Sequence, residues 1–240
     1  MWTPVRAASI AAVALAVSAA SVQAQLPTVA QIYDRFATAV GGRAAWATVH
    51  HRAEQGTARI AYAGIVGTYE RYYAPPNKFR MTIAFAGGKV EQGTNGTVVW
   101  GSQPGAPAVK LPAADATAIL ESNVTGNAFL DPTRYAKSSV VGKELFDGVS
   151  CYRVFITTKS GREKTEFFEV ETGLRRGQVV MGPDGEQKSV YRDYKNFEGR
   201  LLATTNVQSN TVGDVIITVS TVHFRPNDPA LFQLPAGMTP

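Results

Sequence analysis

The chain has 240 residues and a formal net charge of +5, long enough for one domain of ordinary size with its own core. A single cysteine, Cys151, excludes an internal disulfide, so burial has to hold the fold together. The Lys and Arg residues are scattered, with Arg175-Arg176 the only adjacent Arg pair, which gives no basic stripe and no nucleic-acid motif.

The N-terminus has the layout of a secretory signal peptide. Residues 1–6 carry one positive charge, residues 7–20 are small and apolar apart from Ser9 and Ser18, and Val22-Gln23-Ala24 places small residues at the −3 and −1 positions. Cleavage after Ala24 leaves residues 25–240 as a single domain; loss of Arg6 lowers the charge excess from five to four. The apolar run is shorter than the roughly 20 residues a spanning helix needs. No Cys follows it to take a lipid anchor, and no later run is long enough to cross a membrane. The expected product is soluble in the periplasm or secreted.

Two short helices open this product. "PTVAQIYDRFATAVGG" has Thr28 as N-cap, Val29, Ile32, Phe36 and Val40 near one face, and Gly41-Gly42 as its stop. "RAAWATV" is a second helix anchored by Trp46. From about Ala53 the period changes to that of strands. "QGTARIAYAG" and "IVGTYERYYA" meet at Gly64 as a hairpin, and Pro75-Pro76-Asn77 stops the second strand. In "KFRMTIAF", Phe79, Met81, Ile83 and Phe85 point one way and Lys78, Arg80 and Thr82 the other. Gly87-Gly88 and Asn95-Gly96 mark the next turns. "LPAADATAILESNVTGNAF" is a helical excursion, apolar on one side only and therefore expected on a surface. Strands then return with turns at Asp147-Gly148, Ser160-Gly161, Thr172-Gly173, Asp184-Gly185 and Glu198-Gly199, followed by "GDVIITVSTVHF" and a proline-bounded tail, "NDPALFQLPAG". Short strands joined by Gly turns predict a mainly β (α+β) fold, an antiparallel barrel or strongly curved sheet.

Catalytic motifs are absent from this pattern. There is no GxSxG, HExxH, P-loop, CxxC or dinucleotide fingerprint, and no cofactor or metal is implied. His50 and His51 are neighbours at a helix-to-strand junction, and His223 lies in the last strand with no acidic partner identified. Glu169 and Glu171 share a strand face but run into turn residues, which favours a solvated strand end over a paired-carboxylate site. Cys151, within "CYRVFI", reads as a buried small hydrophobe. The strands are rich in aromatic residues, which either fill an ordinary core or line a hollow that takes an apolar ligand beneath the helices.

Several segments, in order, resemble the outer-membrane lipoprotein-sorting (LolA/LolB-like) proteins. They are the first helix with its Gly-Gly stop, "GTYERYYAPPNKFRMTI", "GTNGTVVWG", the helical excursion, "FFEVETGLRRGQVV", "YRDYKNFEGRLLATT" and "NDPALFQLP". The resemblance implies a half-open curved antiparallel β-barrel covered by short helices, with an apolar cavity that receives lipid or lipoprotein acyl chains without catalysis. The cavity candidates on this basis are Tyr69, Phe79, Met81, Ile83, Phe85, Trp100, Phe168, Val179 and Met181. An envelope protein partner is the alternative role for the same fold, and an enzyme on the concave face a further one. Two departures stand out. The family's carrier has an Arg before the Pro-Asn pair where this chain has Pro75, and its receptor has an N-terminal lipid-bearing Cys that this chain lacks.

Overall fold

In the computed structural model, residues 25–123, 127–131, 133–182 and 185–239 are described; the expected signal peptide and Asp184 of one expected turn lie outside them. Helix α1 (Val29–Ala39) begins with a reciprocal capping box, in which the Thr28 hydroxyl accepts from the Gln31 amide and the Gln31 side chain accepts from the Thr28 amide. Gly41 and Gly42, at φ of 106° and 89°, end it and lead into α2 (Arg43–Ala47). Trp46 is buried there, and its indole donates to the Val40 carbonyl at 2.9 Å.

Among the described residues, thirteen strands follow in one antiparallel sheet. They are β1 (Arg52–Ile60), β2 (Ile65–Ala74), β3 (Lys78–Phe85), β4 (Gly88–Thr94), β5 (Val99–Ser102), β6 (Val109–Lys110), β7 (Lys137–Phe146), β8 (Val149–Thr157), β9 (Glu163–Glu169), β10 (Arg175–Gly182), β11 (Gly185–Phe197), β12 (Arg200–Ser209) and β13 (Asp214–His223). Their spatial order is β6-β5-β4-β3-β2-β1-β13-β12-β11-β10-β9-β8-β7. Consecutive strands are neighbours except β6 and β7, the two edge strands, between which α3 (Ala113–Ser122) intervenes; in the middle of the sheet β1 pairs with the last strand, β13. The edges do not pair with each other, so the curved sheet stays unclosed.

Turn chemistry sets this order. Asp147-Gly148 and Glu198-Gly199 are two-residue loops in which both residues have positive φ, the twist that matches antiparallel strands. Asn95 accepts the Thr97 and Val98 amides through its side chain to close the β4–β5 turn.

The helices cover one face, here called the inner face. Ile32, Tyr33 and Phe36 of α1 and its C-cap Val40 pack on Val154 and Ile156 of β8 and Phe168 of β9, with Phe129 and Trp46 in the same cluster. Phe129 and Phe168 meet edge to face, with ring centroids 5.2 Å apart. The opposite, outer face has a smaller cluster of Phe146, Cys151, Phe167 and Val190, with Phe146 stacked on Phe167. Its far end is covered by the C-terminal tail: Arg80 donates to the Leu231 carbonyl, and Phe232 is buried. Helix α3 buries none of its residues fully, as its one-sided apolar pattern requires.

Candidate functional site

Between α1, α3 and the 128–130 turn on one side and the sheet on the other, two adjoining cavities of about 250 and 210 Å³ open on the inner face. Strand alternation determines their walls. On β2, Tyr69, Arg71 and Tyr73 share a face; registered opposite them on β1 are Gly56, Glu54 and Arg52. Across the hollow, β10 to β12 contribute Arg175, Gln178, Tyr191, Tyr194 and Asn206. Apolar wall comes from Phe36, Val40, Phe129, Leu201 and Leu202.

The polar side chains form two ion-paired clusters. In the first, Arg52 pairs with Glu54 at 2.9 Å and lies over the Tyr73 ring at 4.2 Å. The Tyr69 hydroxyl donates to the same carboxylate at 3.3 Å, and burial raises the pKa of that hydroxyl well above the ordinary tyrosine range. In the second, Glu166 is completely buried and accepts from two cations: Arg175 through Nε at 2.6 Å and Nη2 at 2.9 Å, and Lys164 at 2.7 Å. Arg175 also donates to Gln178 at 2.8 Å and sits 4.3 Å from the centre of the Tyr191 ring. Burial acts to lower the Arg175 pKa; Glu166 and Tyr191 outweigh it, so the guanidinium is held firmly charged.

Arg71 differs from these cations. It donates to the Asn123 side chain and lies 5.1 Å from the Tyr73 ring centre, but among the described residues no carboxylate is within ion-pair distance of it. Burial acts to lower its pKa, and Tyr73, Tyr69 and Glu54 together raise it, so it too stays a cation. Among the described residues, its Nε–H and the Asn206 Oδ1 are both buried without a protein partner.

The sequence candidates divide between the two faces. Register places Tyr69, Phe79, Met81, Ile83 and Phe85 together on the inner face, because Tyr73 pairs with Phe79, Arg71 with Met81, Tyr69 with Ile83 and Gly67 with Phe85. Phe168 is also on the inner face, but as helix-packed core with no exposed surface. Met81 helps line a separate apolar recess of about 310 Å³ with Val90, Pro107, Val109 and Leu111. Trp100 is on the outer face: it pairs with Gly93, which pairs with Arg80, and the Arg80 guanidinium lies 5.6 Å from its ring centre. Val179 and Met181 are on the outer face too. An irregularity between Arg175 and Gly177 pairs Val179 with Thr165, so the residues in phase with Phe168 are Gln178 and Val180. That one-residue offset turns the expected apolar wall of β10 away from the cavity and turns Arg175 and Gln178 toward it.

His50 and His223 are exposed, and among the described residues no group of three or more His, Cys, Asp or Glu is placed to hold a metal ion. Cys151 is fully buried, and burial pushes its thiol pKa up to about 12. No described helix is long and apolar enough to cross a membrane.

No family model and no curated protein sequence matches the chain. Solved structures do. A DUF1329 family protein from Desulfovibrio piger superposes with a TM-score of 0.56 at 15% identity, over 85% of this chain and 97% of that one. A LolA superfamily protein from Nitrosomonas europaea superposes with a TM-score of 0.56 at 13% identity, over 87% of this chain and 99% of that one. At these identities the likeness is one of fold: an unclosed antiparallel sheet with helices over one face, the LolA-like architecture that the order of sequence segments implied.

Proposed function

We propose that this protein is a non-enzymatic binding or carrier protein of the bacterial envelope that holds a lipid, an acylated protein or another amphiphile between the inner face of its sheet and the helices. The observation that carries this reading is the pair of adjoining cavities, about 250 and 210 Å³, at the place where a filled sheet-on-helix fold would have core. Their wall is mixed. Leu201, Leu202, Phe36 and Phe129 suit a hydrocarbon chain, which gains about 0.8 kcal/mol per buried CH₂. The charged clusters beside them suit a polar end. An amphiphile therefore fits better than a wholly apolar molecule, and the fold likeness to a LolA superfamily protein agrees with it. The envelope location rests on the signal-peptide pattern of residues 1–24.

Native mass spectrometry of protein extracted gently from a bacterial periplasm tests the reading. The expected result is a fraction carrying lipid mass, and displacement of a fluorescent fatty acid in solution. A uniformly unliganded mass with no fatty-acid binding would overturn it. The alternative, an interaction module that contacts an envelope protein and stores no ligand, requires a filled core; the two cavities favour the carrier.

A further inference from the structure

We propose that the cavity between Arg71 and Asn206 receives the head of the amphiphile, and that this head is an oxyanion that also carries a hydroxyl, a group of the phosphoglycerol or sugar-phosphate kind. The inference rests on the reading that an amphiphile occupies this face, and it specifies the chemistry of the polar end.

Two groups in the wall call for opposite partners. Among the described residues, Arg71 Nε–H is a buried donor with no protein acceptor, on a cation with no carboxylate in ion-pair range. Asn206 Oδ1 is a buried acceptor with no protein donor among those residues. Both residues line both cavities. Leaving such groups unpaired is costly, because each gives up its bonds to water and gains none in return. An alkyl chain satisfies neither, and a bare carboxylate satisfies only the guanidinium. A head with an anionic oxygen and a hydroxyl satisfies both: the oxygen accepts from Arg71, and the hydroxyl donates to Asn206.

The surrounding charge favours an anion. Arg52 pairs with Glu54, and Lys164 and Arg175 share Glu166; with Arg71 and with Glu121, Arg162 and Glu163 of the second cavity's wall, five cations face four carboxylates, and Arg71 itself contacts the Asn123 amide, Tyr69 and the Tyr73 ring. Exposed guanidinium groups bind phosphate weakly; one held among buried tyrosines and desolvated by its neighbours forms a stronger charge-assisted bond. The leucines of β12 and the Phe36 and Phe129 rings lie in the same wall, where an attached chain would run.

Isothermal titration calorimetry with three probes tests this: lysophosphatidylglycerol and monoacylglycerol of the same acyl length, each below its micelle concentration, and inorganic phosphate. The wild-type protein is expected to bind the lysophosphatidylglycerol about tenfold or more tighter than the monoacylglycerol, the scale of one charge-assisted bond. Arg71→Gln should lower lysophosphatidylglycerol affinity about tenfold or more and so abolish that preference. Asn206→Leu should instead weaken both lipids, since each carries a hydroxyl that loses its acceptor, so a folding failure in one variant leaves the other to decide. Equal affinity of the wild-type protein for the two lipids, an unchanged preference in Arg71→Gln, or undiminished affinity for both lipids in Asn206→Leu overturns the head site and leaves the amphiphile reading standing. Binding of phosphate with neither lipid overturns the amphiphile reading and assigns the site to a free anion. No binding of any probe overturns both.

Discussion

Replacing Glu166 by glutamine keeps the shape of the side chain and removes one negative charge from the most enclosed ionic cluster in the protein. Glu166 has no exposed surface, and its two oxygens accept three short hydrogen bonds from Arg175 and Lys164, at 2.6, 2.9 and 2.7 Å. The amide can still accept at one oxygen, but its NH₂ then faces a cation donor. Removing one partner of a buried ion pair costs about 3–5 kcal/mol, because the remaining charge stays desolvated. Here two cations share the single carboxylate, which places the cost toward the upper end. For a chain of this size each kcal/mol lowers Tm by about 2–4 °C, so the expected fall is about 10 °C or more. Thermal unfolding followed by circular dichroism reads it directly. The double variant Glu166→Met with Arg175→Met should recover part of the loss, since a buried pair replaced by apolar groups of similar volume is often near neutral. A fall of less than about 2 °C for Glu166→Gln would refute the reasoning, because it would mean that water reaches this cluster and screens it.

Three further outcomes follow from the packing and the charges. Gly56→Ala places a methyl carbon 1.9 Å from the Thr218 carbonyl oxygen across the β1–β13 pairing and should lower stability by about 3 kcal/mol in urea, whereas at Gly101 the nearest atom is 3.6 Å away and alanine should be close to neutral; equal effects would contradict the register. Asp147 is held below the usual carboxylate range by hydrogen bonds from Arg192 and Arg176, so its contribution is complete above the unfolded pKa of about 3.9 and is lost as pH falls through the lower folded value. Asp147→Asn should therefore be less stable at neutral pH and show a shallower acid limb below about pH 4 in urea midpoints; parallel limbs would contradict it. Cys151, buried and with its thiol pushed up to about 12, should resist a thiol reagent at pH 8 until urea is added, and stoichiometric reaction of the native protein would count against its placement.

Much of the architecture was legible because local chemistry dictates it. Thr28 and Gln31 flank the start of α1 as a capping box, Gly41-Gly42 stops that helix, and the two-residue turns at Asp147-Gly148 and Glu198-Gly199 demand positive φ. Alternation also grouped Phe79, Met81, Ile83 and Phe85 correctly on one face. Alternation cannot say which face the helices will cover, nor does it survive an extra residue. The offset between Arg175 and Gly177 moved Val179 and Met181 outward, and pairing through Gly93 and Arg80 placed Trp100 beneath the C-terminal tail. A search for apolar lining therefore passed over Arg71, Arg175 and Asn206. One signal was present: Arg71 stands two residues from both Tyr69 and Tyr73, a charge in phase with an aromatic face. A long cation at an inward position is tolerated only where partners wait inside, and those partners, Asn123 for Arg71 and Glu166 on the neighbouring strand for Arg175, are brought in by the fold and not by alternation along one strand.

The central claim is that a ligand sits on the inner face, and a spin-labelled lysophospholipid tests which face is occupied. In methyl-resolved NMR spectra of the intact protein, a nitroxide on the acyl chain should broaden the signals of Leu201 and Leu202, which line the cavity, and spare those of Val179 and Met181 on the outer face. Broadening of Val179 and Met181 with Leu201 and Leu202 unaffected would contradict the account.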